Sequence, residues 1–328
     1  MIVNPYKSFA GKVKGILEKK FPNFTNRYVM PSSMAIIDTV YKKASRKKSK
    51  QYLCKKQFPI FRNIEIETIN RCNGKCSFCN VNAMVDPRPF RLMEESLFSS
   101  IIEQLALINY TGEIALYSNN EPLLDKRIYN FLELATKRLP NATHYLYTNG
   151  TLLTREKFIS LMKYLDFLII DNYNDNLQLI KPVNDIYNLI KSRKYSNRVI
   201  ILLRKQNELL CNRAGSTENR EITSRKVSSC CMYPFQQMVV RPDGKVSLCC
   251  NDSLGQMTLG DLTQTSVINV WNNEKFAKIR SAMSGGRQNV SLCANCDTIV
   301  PNVVGSNPLP KNYLKKLFKT GEVGDINE

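Results

Sequence analysis

The sequence has one histidine, one tryptophan and far fewer acidic than basic residues, with 28 Asp and Glu against 47 Lys and Arg. Its single histidine, His144, stands far from the first group of cysteines, which excludes a local zinc site of mixed cysteine and histidine ligands there. No run of about 18 apolar residues occurs, so the sequence contains no candidate membrane span. Residues 1–20 lack a continuous apolar stretch and a small-residue cleavage site, so they do not predict a secretory signal.

Cysteine, in contrast, is plentiful, with 11 in 328 residues. Disulfide frameworks are expected mainly in small secreted chains, and this sequence is long and has no recognisable export signal. Because several cysteines stand at metal-ligand spacings, we interpret them as metal ligands. Thiolate-bound clusters of low potential require a reducing compartment, and the sequence therefore predicts a cytoplasmic protein.

Most of the net charge of +19 lies near the N-terminus. Residues 1–58 hold twelve lysines and two arginines against only Glu18 and Asp38, which gives this segment +12. Two interpretations stay open: a solvated, partly disordered arm, or a segment that binds an anionic partner such as a phosphorylated substrate, RNA or the acidic face of a membrane. Because every candidate metal ligand lies downstream, we expect residues 1–55 to be dispensable for metal binding.

A basic amphipathic helix is predicted over residues 6–19, where Phe9, Val13, Ile16 and Leu17 fall near one another with lysines around them. Such a helix is compatible with docking at a membrane interface and equally with packing on the rest of the protein. The two alternatives differ in whether these apolar side chains are exposed.

The most informative motif is a loop of three cysteines that follows a strand-like run. Cys72, Cys76 and Cys79 have the spacing C-x3-C-x2-C, with Phe78 directly before the third cysteine. Three thiolates in one loop can bind three irons of a [4Fe–4S] cubane and leave the fourth iron without a protein ligand, whereas four cysteines usually close such a cluster. A zinc knuckle would favour paired C-x2-C units with four ligands.

This loop resembles the signature of radical S-adenosylmethionine (SAM) enzymes. The resemblance implies that the open iron chelates and reduces SAM, which yields a 5′-deoxyadenosyl radical that abstracts a hydrogen atom from a substrate. It also implies that Phe78 lies under the adenine of SAM. A donor of the flavodoxin or ferredoxin type is the expected source of the electron.

Strands and helices alternate from residue 62 onward. The strand-like runs are 63–69, 113–118, 143–148, 166–171 and 198–203, and the helical patterns between them lie near 92–108, 126–138, 153–164 and 179–192. This alternation predicts right-handed βαβ units and a parallel sheet. Five repeats are too few for a closed eight-stranded barrel. They fit the α/β fold that the resemblance implies, an open partial (β/α)6 barrel with its active site at the carboxyl ends of the strands.

Those strand ends carry further matches to the family. Residues 119–122, Asn-Asn-Glu-Pro, resemble the family's Gly-Gly-Glu-Pro segment, and asparagine tolerates a positive φ better than most residues. The resemblance implies that Glu121 contacts the amino group of SAM. Asn149 belongs to an Asn-Gly pair that is either an ordinary turn or a SAM ligand. The other residues placed at SAM are Asn119, Asn120 and Asp171.

The C-terminal third contains a second cysteine pattern. A β-hairpin is predicted around Pro-Asp-Gly-Lys at 242–245, and a helix near 273–284. This segment resembles the SPASM auxiliary-cluster domain in its shortened twitch form, because no cysteine follows Cys296. A zinc ribbon is the alternative, since four cysteines also suit zinc. The resemblance implies a second [4Fe–4S] cluster without an open iron, with the ligands Cys231, Cys249, Cys293 and Cys296.

Adjacent cysteines leave the register open at two places. Cys231 rather than Cys230 matches the family's proline three residues later, and Cys249 rather than Cys250 matches its Gly-x4-Cys spacing. We interpret the spare thiols as small buried hydrophobic residues, with a hydrogen-atom donor as the alternative role for one of them. These spare thiols are Cys54, Cys211, Cys230 and Cys250.

An auxiliary cluster near a substrate radical can accept the electron that is left after hydrogen abstraction, which turns a carbinol into a carbonyl. Resemblance to twitch dehydrogenases implies this oxidation on a small sugar- or aminocyclitol-type substrate, and it places Arg213 at that substrate. Arg213 would be the base, or it would bind a phosphate or carboxylate, since arginine resists deprotonation. The alternative functions are a peptide-modifying SPASM maturase, a radical epimerase and a nucleic-acid-modifying enzyme.

The length of 328 residues suggests two domains, or a large one with appendages. The predicted organisation is a basic N-terminal extension (1–60), a radical SAM partial barrel (61–215), a linker (216–229), a SPASM/twitch domain built from a β-hairpin and a helix (230–298), and a C-terminal tail (299–328).

Overall fold

The computed structural model describes residues 2–4, 6, 9–55, 58–217 and 227–299. Most of the predicted linker, 218–226, and the predicted tail from residue 300 onward lie outside the described residues. Within the described ranges, no helix is both long and apolar enough to cross a membrane.

Nine strands in the described ranges form one sheet. In chain order they are β1 (Ile2–Val3), β2 (Asn63–Ile66), β3 (Glu113–Ala115), β4 (Thr143–Thr148), β5 (Phe167–Tyr173), β6 (Val199–Arg204), β7 (Gln237–Val240), β8 (Lys245–Ser247) and β9 (Thr258–Asp261). They lie side by side in the order β1-β6-β5-β4-β3-β2-β7-β8-β9. All pairings from β1 to β7 are parallel, and β7–β8 and β8–β9 are antiparallel.

Helices link and cover the strands. They are α1 (Phe9–Lys20), α2 (Pro22–Phe24), α3 (Met30–Leu53), α4 (Glu95–Leu107), α5 (Ile128–Arg138), α6 (Arg155–Leu161), α7 (Lys181–Asp185), α8 (Tyr187–Lys191), α9 (Tyr233–Gln236), α10 (Val267–Trp271), α11 (Glu274–Gly285) and α12 (Ser291–Ala294). In α4, Phe98, Ile101 and Leu105 recur at helical spacing and are buried. The Phe98 ring lies 4.3 Å from that of Phe131 in α5, so the two helices pack together on the sheet.

The predicted α/β fold, a parallel sheet of the partial-barrel type with a C-terminal hairpin, is confirmed. The five predicted strands are β2 to β6, and the predicted hairpin is β7–β8. The structure adds that β7 pairs in parallel with β2, so the hairpin extends the barrel sheet instead of forming a separate sheet. Two-residue β1 extends the opposite edge beside β6, and it is too short to be recognised from sequence.

Buried cationic side chains fasten the segment after the hairpin. The guanidinium of Arg280 lies 3.9 Å from the ring of Phe58 and 4.0 Å from that of Trp271, within cation–π distance. Arg287 donates to Ser229 O at 2.9 Å and to Thr298 O at 2.8 Å. Arg287 therefore ties the start of the cysteine-rich segment to its end.

The basic N-terminal segment is helical and packs on the protein, which differs from the interpretation as a partly disordered arm. Asp38 of α3 accepts hydrogen bonds from the backbone N–H groups of Ser228 and Ser229 at 2.9 and 2.7 Å. Ser45 Oγ accepts from Cys230 N at 3.0 Å. Because α3 supports the backbone next to Cys231, the structure argues against the expectation that residues 1–55 are dispensable for metal binding.

Candidate active site

The loops at the carboxyl ends of the parallel strands surround a cavity of about 380 Å³. Its wall comes from the loop after β2, the ends of β3, β4 and β5, and the segments around β7 and β8. Parallel α/β sheets and barrels place their active sites at this edge. Every residue that the sequence places at the first cluster, SAM or the substrate lines this cavity: Cys72, Cys76, Phe78, Cys79, Asn119, Asn120, Glu121, Asn149, Asp171 and Arg213.

Hydrogen bonds hold the three-cysteine loop in shape. Cys79 N donates to Cys76 O at 3.1 Å, and Asn82 Nδ2 donates to Cys79 O at 2.7 Å. Burial, together with the neighbouring thiols, raises the pKa of Cys72 to about 11 and that of Cys76 to about 12. Such thiols ionise readily only beside a positive charge such as a metal, because a coordinating thiol is deprotonated.

Gly74 leaves room for a cluster between the first two of these cysteines. A Cβ atom added at Gly74 would lie 3.3 Å from Cys72 Sγ and 3.9 Å from Cys76 Sγ. A side chain at this position would therefore fill the space beside both sulfur atoms. The residues present fit an iron–sulfur cluster in this loop.

Glu121 joins the ends of two strands behind the loop. Its carboxylate accepts hydrogen bonds from Leu123 N at 3.1 Å, Thr148 Oγ1 at 2.8 Å and Asn149 N at 2.7 Å. Burial raises the pKa of Glu121 to about 7, against the effect of these hydrogen bonds. Asn149 in turn donates to Asn73 Oδ1 at 2.8 Å, so it links β4 to the cysteine loop. Direct contacts of Glu121 and Asn149 with SAM stay predictions.

The two asparagines that replace the family's glycines have different surroundings. Asn119 Oδ1 accepts from Arg213 Nη1 at 2.6 Å. Asn120 Oδ1 accepts from Ser118 N at 3.0 Å, whereas its Nδ2 is buried and has no hydrogen-bond partner among the described residues. An unpaired buried donor is costly, which makes this amide available to a bound ligand.

An aromatic pair lies beside the cysteine loop. The rings of Phe78 and Tyr173 are 5.7 Å apart at an interplanar angle of 43°. Asp171 precedes Tyr173 by two positions on β5 and faces the same cavity, where it pairs with Arg204 Nε at 3.4 Å. Burial raises the pKa of Asp171, although the charge of Arg204 opposes this effect.

Glu65 of β2 is a second buried carboxyl group in the cavity, and sequence analysis missed it. Its oxygens accept hydrogen bonds from Ser118 Oγ and Gln237 Nε2, both at 2.7 Å. Burial raises the pKa of Glu65 to about 7, while the hydrogen bond from Ser118 and the charge of Arg213 act in the opposite direction. The signal available in the sequence was an acidic residue between Ile64 and Ile66 in a strand-like run.

Arg213 is held beside Glu65 in an unusual backbone conformation. Both Arg213 and Ala214 have a positive φ, at 44° and 59°. Non-glycine residues seldom adopt this conformation, and such strain concentrates at functional sites. Burial opposes the charge on Arg213, but the facing thiols of Cys79, Cys211 and Cys250 raise its pKa, so the guanidinium stays cationic.

Tyrosines form much of the remaining wall, and no motif in the sequence predicts them there. Tyr117 lies 4.9 Å from Tyr147 and 5.9 Å from Tyr145, measured between ring centroids. Tyr145 and Tyr147 are two positions apart on β4, so they point to the same face of the sheet. Aromatic rings and polar groups therefore make up most of the cavity lining, to which Val81 adds an aliphatic side chain.

The four predicted auxiliary ligands lie together outside the cavity wall. Burial and the neighbouring thiols raise the pKa of Cys249 well above its usual value, with Cys231, Cys293 and Cys296 among those neighbours. In the described part of the chain, no three histidine, cysteine or acidic side chains are close enough to hold a single metal ion.

The spare thiols occupy four different environments. Cys230 is buried, as predicted, and burial raises its pKa to about 12. The prediction is wrong for Cys54, which is exposed. Cys211 is only partly buried, with its Sγ 3.8 Å from Asn251 Oδ1. Cys250 lines the cavity, where it neighbours Glu65 and Arg213, whereas Cys249 is not part of the cavity lining.

Two family models match the chain. One describes the Radical SAM superfamily and matches residues 66–207, and the other describes SPASM, an iron–sulfur cluster-binding domain, and matches residues 230–297. Together they cover well over half of the chain. The protein belongs to the radical SAM superfamily. Its C-terminal part is a SPASM domain, as the sequence predicts.

Relatives of this radical SAM protein include a dehydrogenase. The S-adenosyl-L-methionine-dependent 2-deoxy-scyllo-inosamine dehydrogenase of Niallia circulans is 27% identical over 242 residues, which are 73% of this chain and 94% of the relative. The crystal structure of BtrN in complex with AdoMet and 2-DOIA has a TM-score of 0.64 and 26% identity, and the match covers 74% of this chain and 94% of that one. A selenomethionine form of BtrN in an open conformation has a TM-score of 0.56 and 24% identity, covering 74% and 95% of the two chains.

The register of the SPASM cysteines gives a direct prediction. Cys249→Ser should lower the iron content of the reconstituted protein from about eight to about four atoms, because it removes a ligand of the second cluster. Cys250→Ser, its matched neighbour, should keep about eight. Iron and sulfide analysis after anaerobic reconstitution measures both. If Cys250→Ser loses a cluster and Cys249→Ser does not, the register is wrong by one residue.

Proposed function

We propose that this protein oxidises a carbinol of a small aminocyclitol- or sugar-type substrate to a carbonyl. The observation that carries the proposal is the composition of one cavity. The three-cysteine loop, the residues placed at SAM, Glu65 and Arg213 all line this cavity. The homology to an aminocyclitol dehydrogenase over 94% of its length supports the same reaction class. A cavity of about 380 Å³ also suits a small molecule better than a peptide.

Residues of this chain would hold three groups. Cys72, Cys76 and Cys79 would bind the first [4Fe–4S] cluster, and four cysteines of the SPASM domain would bind a second one in the twitch form. When bound, these groups supply a 5′-deoxyadenosyl radical that takes a hydrogen atom from the substrate, and an acceptor for the electron left on it. A flavodoxin- or ferredoxin-type donor is the proposed external reductant. The buried Nδ2 of Asn120 is available to SAM.

Glu65 would take the proton of the substrate hydroxyl. A carboxyl group with a pKa near 7 is well matched to general base catalysis at neutral pH. Each of its oxygens accepts one hydrogen bond in the structure, and a carboxylate can accept about four in total. Arg213 stays cationic, so its proposed role is to orient the substrate oxygen and stabilise negative charge on it.

The electron from the substrate would leave toward the SPASM cysteines. Tyr233 lines the cavity, and its hydroxyl hydrogen-bonds the sulfur of Cys250. The thiols of Cys231 and Cys249 also raise the pKa of Tyr233, which supports a position of this ring between the substrate side and the auxiliary ligands. A hydrogen atom, a proton and an electron are thus removed, which is the loss of two hydrogens that converts a carbinol into a carbonyl.

A radical epimerase is the second candidate, and the position of Cys250 favours it. In that reaction the Cys250 thiol would donate a hydrogen atom to the substrate radical. The resulting sulfur-centred radical would then need one electron from the external donor and one proton from solvent. Cys250 lies in the cavity wall, as a donor thiol would have to.

Isotope incorporation distinguishes the two reactions. In deuterated water, dehydrogenation should give a product two hydrogens lighter than the substrate, with no deuterium at the oxidised carbon. An epimerase would instead return a product one mass unit heavier, because the donor thiol exchanges with solvent. Mass spectrometry of the product, with one SAM consumed per turnover as the internal control, decides between them. A gain of one unit without oxidation would reject the proposed function.

A further inference from the structure

The N-terminal helical layer, defined as residues 9–53, turns apolar side chains toward solvent. On α1, Phe9, Val13 and Ile16 follow one another at spacings of four and three, and Phe9 is 84% exposed. On α3, Ile36 and Val40 are both 70% exposed. Aromatic residues of the segment between these helices are exposed as well. Contiguous exposed apolar surface of this kind usually marks an interaction site.

Lysines lie on the same helix faces as these exposed apolar residues, and each such row of residues along a helix is called a stripe. On α3 the series runs Ile36, Val40, Lys43, Lys47 and Lys50 at alternating spacings of four and three, so these residues share one face of the helix. Next to this stripe lies a groove on the helix surface. It is lined by Thr39, Lys42, Lys43, Arg46, Lys47 and Lys50.

Both acidic residues of the layer are turned inward. Asp38 is buried and binds Ser228 and Ser229. The side chain of Glu18 is 8% exposed and pairs with Lys14 at 3.4 Å. The outer surface of residues 9–53 therefore carries mainly positive charge, and Lys14 is the lysine of α1 that pairs with carboxylates, those of Glu18 and Glu208.

We infer that this layer docks on the surface of an anionic lipid bilayer, with the apolar stripes inserted at the level of the headgroups. Amphipathic helices with lysines beside exposed aromatic and aliphatic residues bind such interfaces, and each lysine near the surface contributes about 1 kcal/mol. The positive charge would also attract RNA. RNA binding does not explain the exposed side chains of Ile36 and Val40, however, because nucleic-acid bases stack on aromatic rings. A second copy of this chain would bring the same positive charge and be repelled.

Vesicle co-sedimentation tests this inference with the full-length, reconstituted protein. The protein should bind vesicles of phosphatidylcholine with about a third phosphatidylglycerol, should not bind phosphatidylcholine alone, and should dissociate as salt rises. Lys43→Ala with Lys47→Ala should weaken binding roughly thirtyfold, which corresponds to two lysines. Ile36→Asn with Val40→Asn should weaken it at least about tenfold, because the inserted apolar area is lost.

Lys137→Ala with Lys163→Ala is the matched control, since both lysines are exposed and lie outside residues 9–53, in α5 and just after α6. Their replacement should leave vesicle binding unchanged. Phe9→Ser provides a second apolar variant, on α1, and should also weaken vesicle binding. The circular dichroism spectrum and the iron content should be equal in all variants. Absence of binding to anionic vesicles at low salt would overturn the inference. The inference would also be overturned if the apolar substitutions left vesicle binding unchanged. Tight binding to an RNA oligonucleotide without any binding to vesicles would overturn it as well.

Discussion

Replacing Cys72, Cys76 and Cys79 together with alanine should abolish SAM cleavage and leave about four irons and four sulfides per chain instead of about eight. The three thiols line one cavity, and Gly74 keeps the space beside two of them open. The raised pKa values of Cys72 and Cys76 mean that these two thiols are protonated unless a metal holds them as thiolates. Without these ligands the cluster that reduces SAM has no site, so cleavage should fall to background.

The triple variant needs two controls. Cys54→Ala, at an exposed thiol remote from the cavity, should retain about eight irons and full cleavage. The auxiliary cluster of the triple variant should persist, because its proposed ligands belong to a different part of the fold. The readouts are iron and sulfide content and the 5′-deoxyadenosine formed with dithionite as reductant. SAM cleavage by the triple variant would refute the assignment of the first cluster.

The chemistry that depends on short spacings could be predicted from the sequence. The three cysteines fall within eight residues, so their side chains lie close together whatever the rest of the chain does. The same holds within the contiguous Asn-Asn-Glu-Pro segment at a strand end. The parallel sheet was equally accessible, because strands that alternate with helices have few other ways to bury their apolar residues. The cavity brings the predicted residues into one wall.

Features that depend on pairing between distant segments could not be predicted. The parallel pairing of β7 with β2 joins residues about 170 positions apart, and it brings Gln237 to Glu65. The same holds for Asp38, whose contacts with Ser228 and Ser229 make the N-terminal helix part of the support for the SPASM segment. No local sequence pattern predicts either contact, because each one joins segments that are far apart in the chain.

Adjacent cysteines posed a different difficulty. The cysteine spacing of the family favours Cys249 over Cys250 as a ligand, but it does not predict where the thiol of Cys250 lies. In the structure Cys250 faces the cavity beside Arg213, while burial and the thiols around Cys249 raise the pKa of the latter. The two cysteines lie in the turn that follows β8, so the alternation of a strand could not have been used to predict which thiol lines the cavity.

Replacing Glu65 with glutamine should lower kcat by about a hundredfold to ten-thousandfold, the usual contribution of a general base. Glutamine keeps the size of the side chain and can still hydrogen-bond Ser118, but it cannot take a proton from the substrate hydroxyl. Cleavage of SAM and transfer of the substrate hydrogen into 5′-deoxyadenosine should continue, because Glu65 acts after hydrogen abstraction. Deuterium transfer from labelled substrate without carbonyl product is therefore the expected signature.

The pH profile separates a base from a merely structural carboxylate. Because burial raises the pKa of Glu65 to about 7, kcat/KM of the wild type should rise as pH increases through about 7 and level off where the carboxylate is ionised. Glu65→Gln should lose this rise. Glu67→Gln is the matched control on the same segment: Glu67 is also buried with a pKa of about 7, but it pairs with Arg88 at 3.1 Å outside the cavity wall. The control should keep the wild-type profile. A rise near pH 7 that survives in Glu65→Gln would assign the proton to another group.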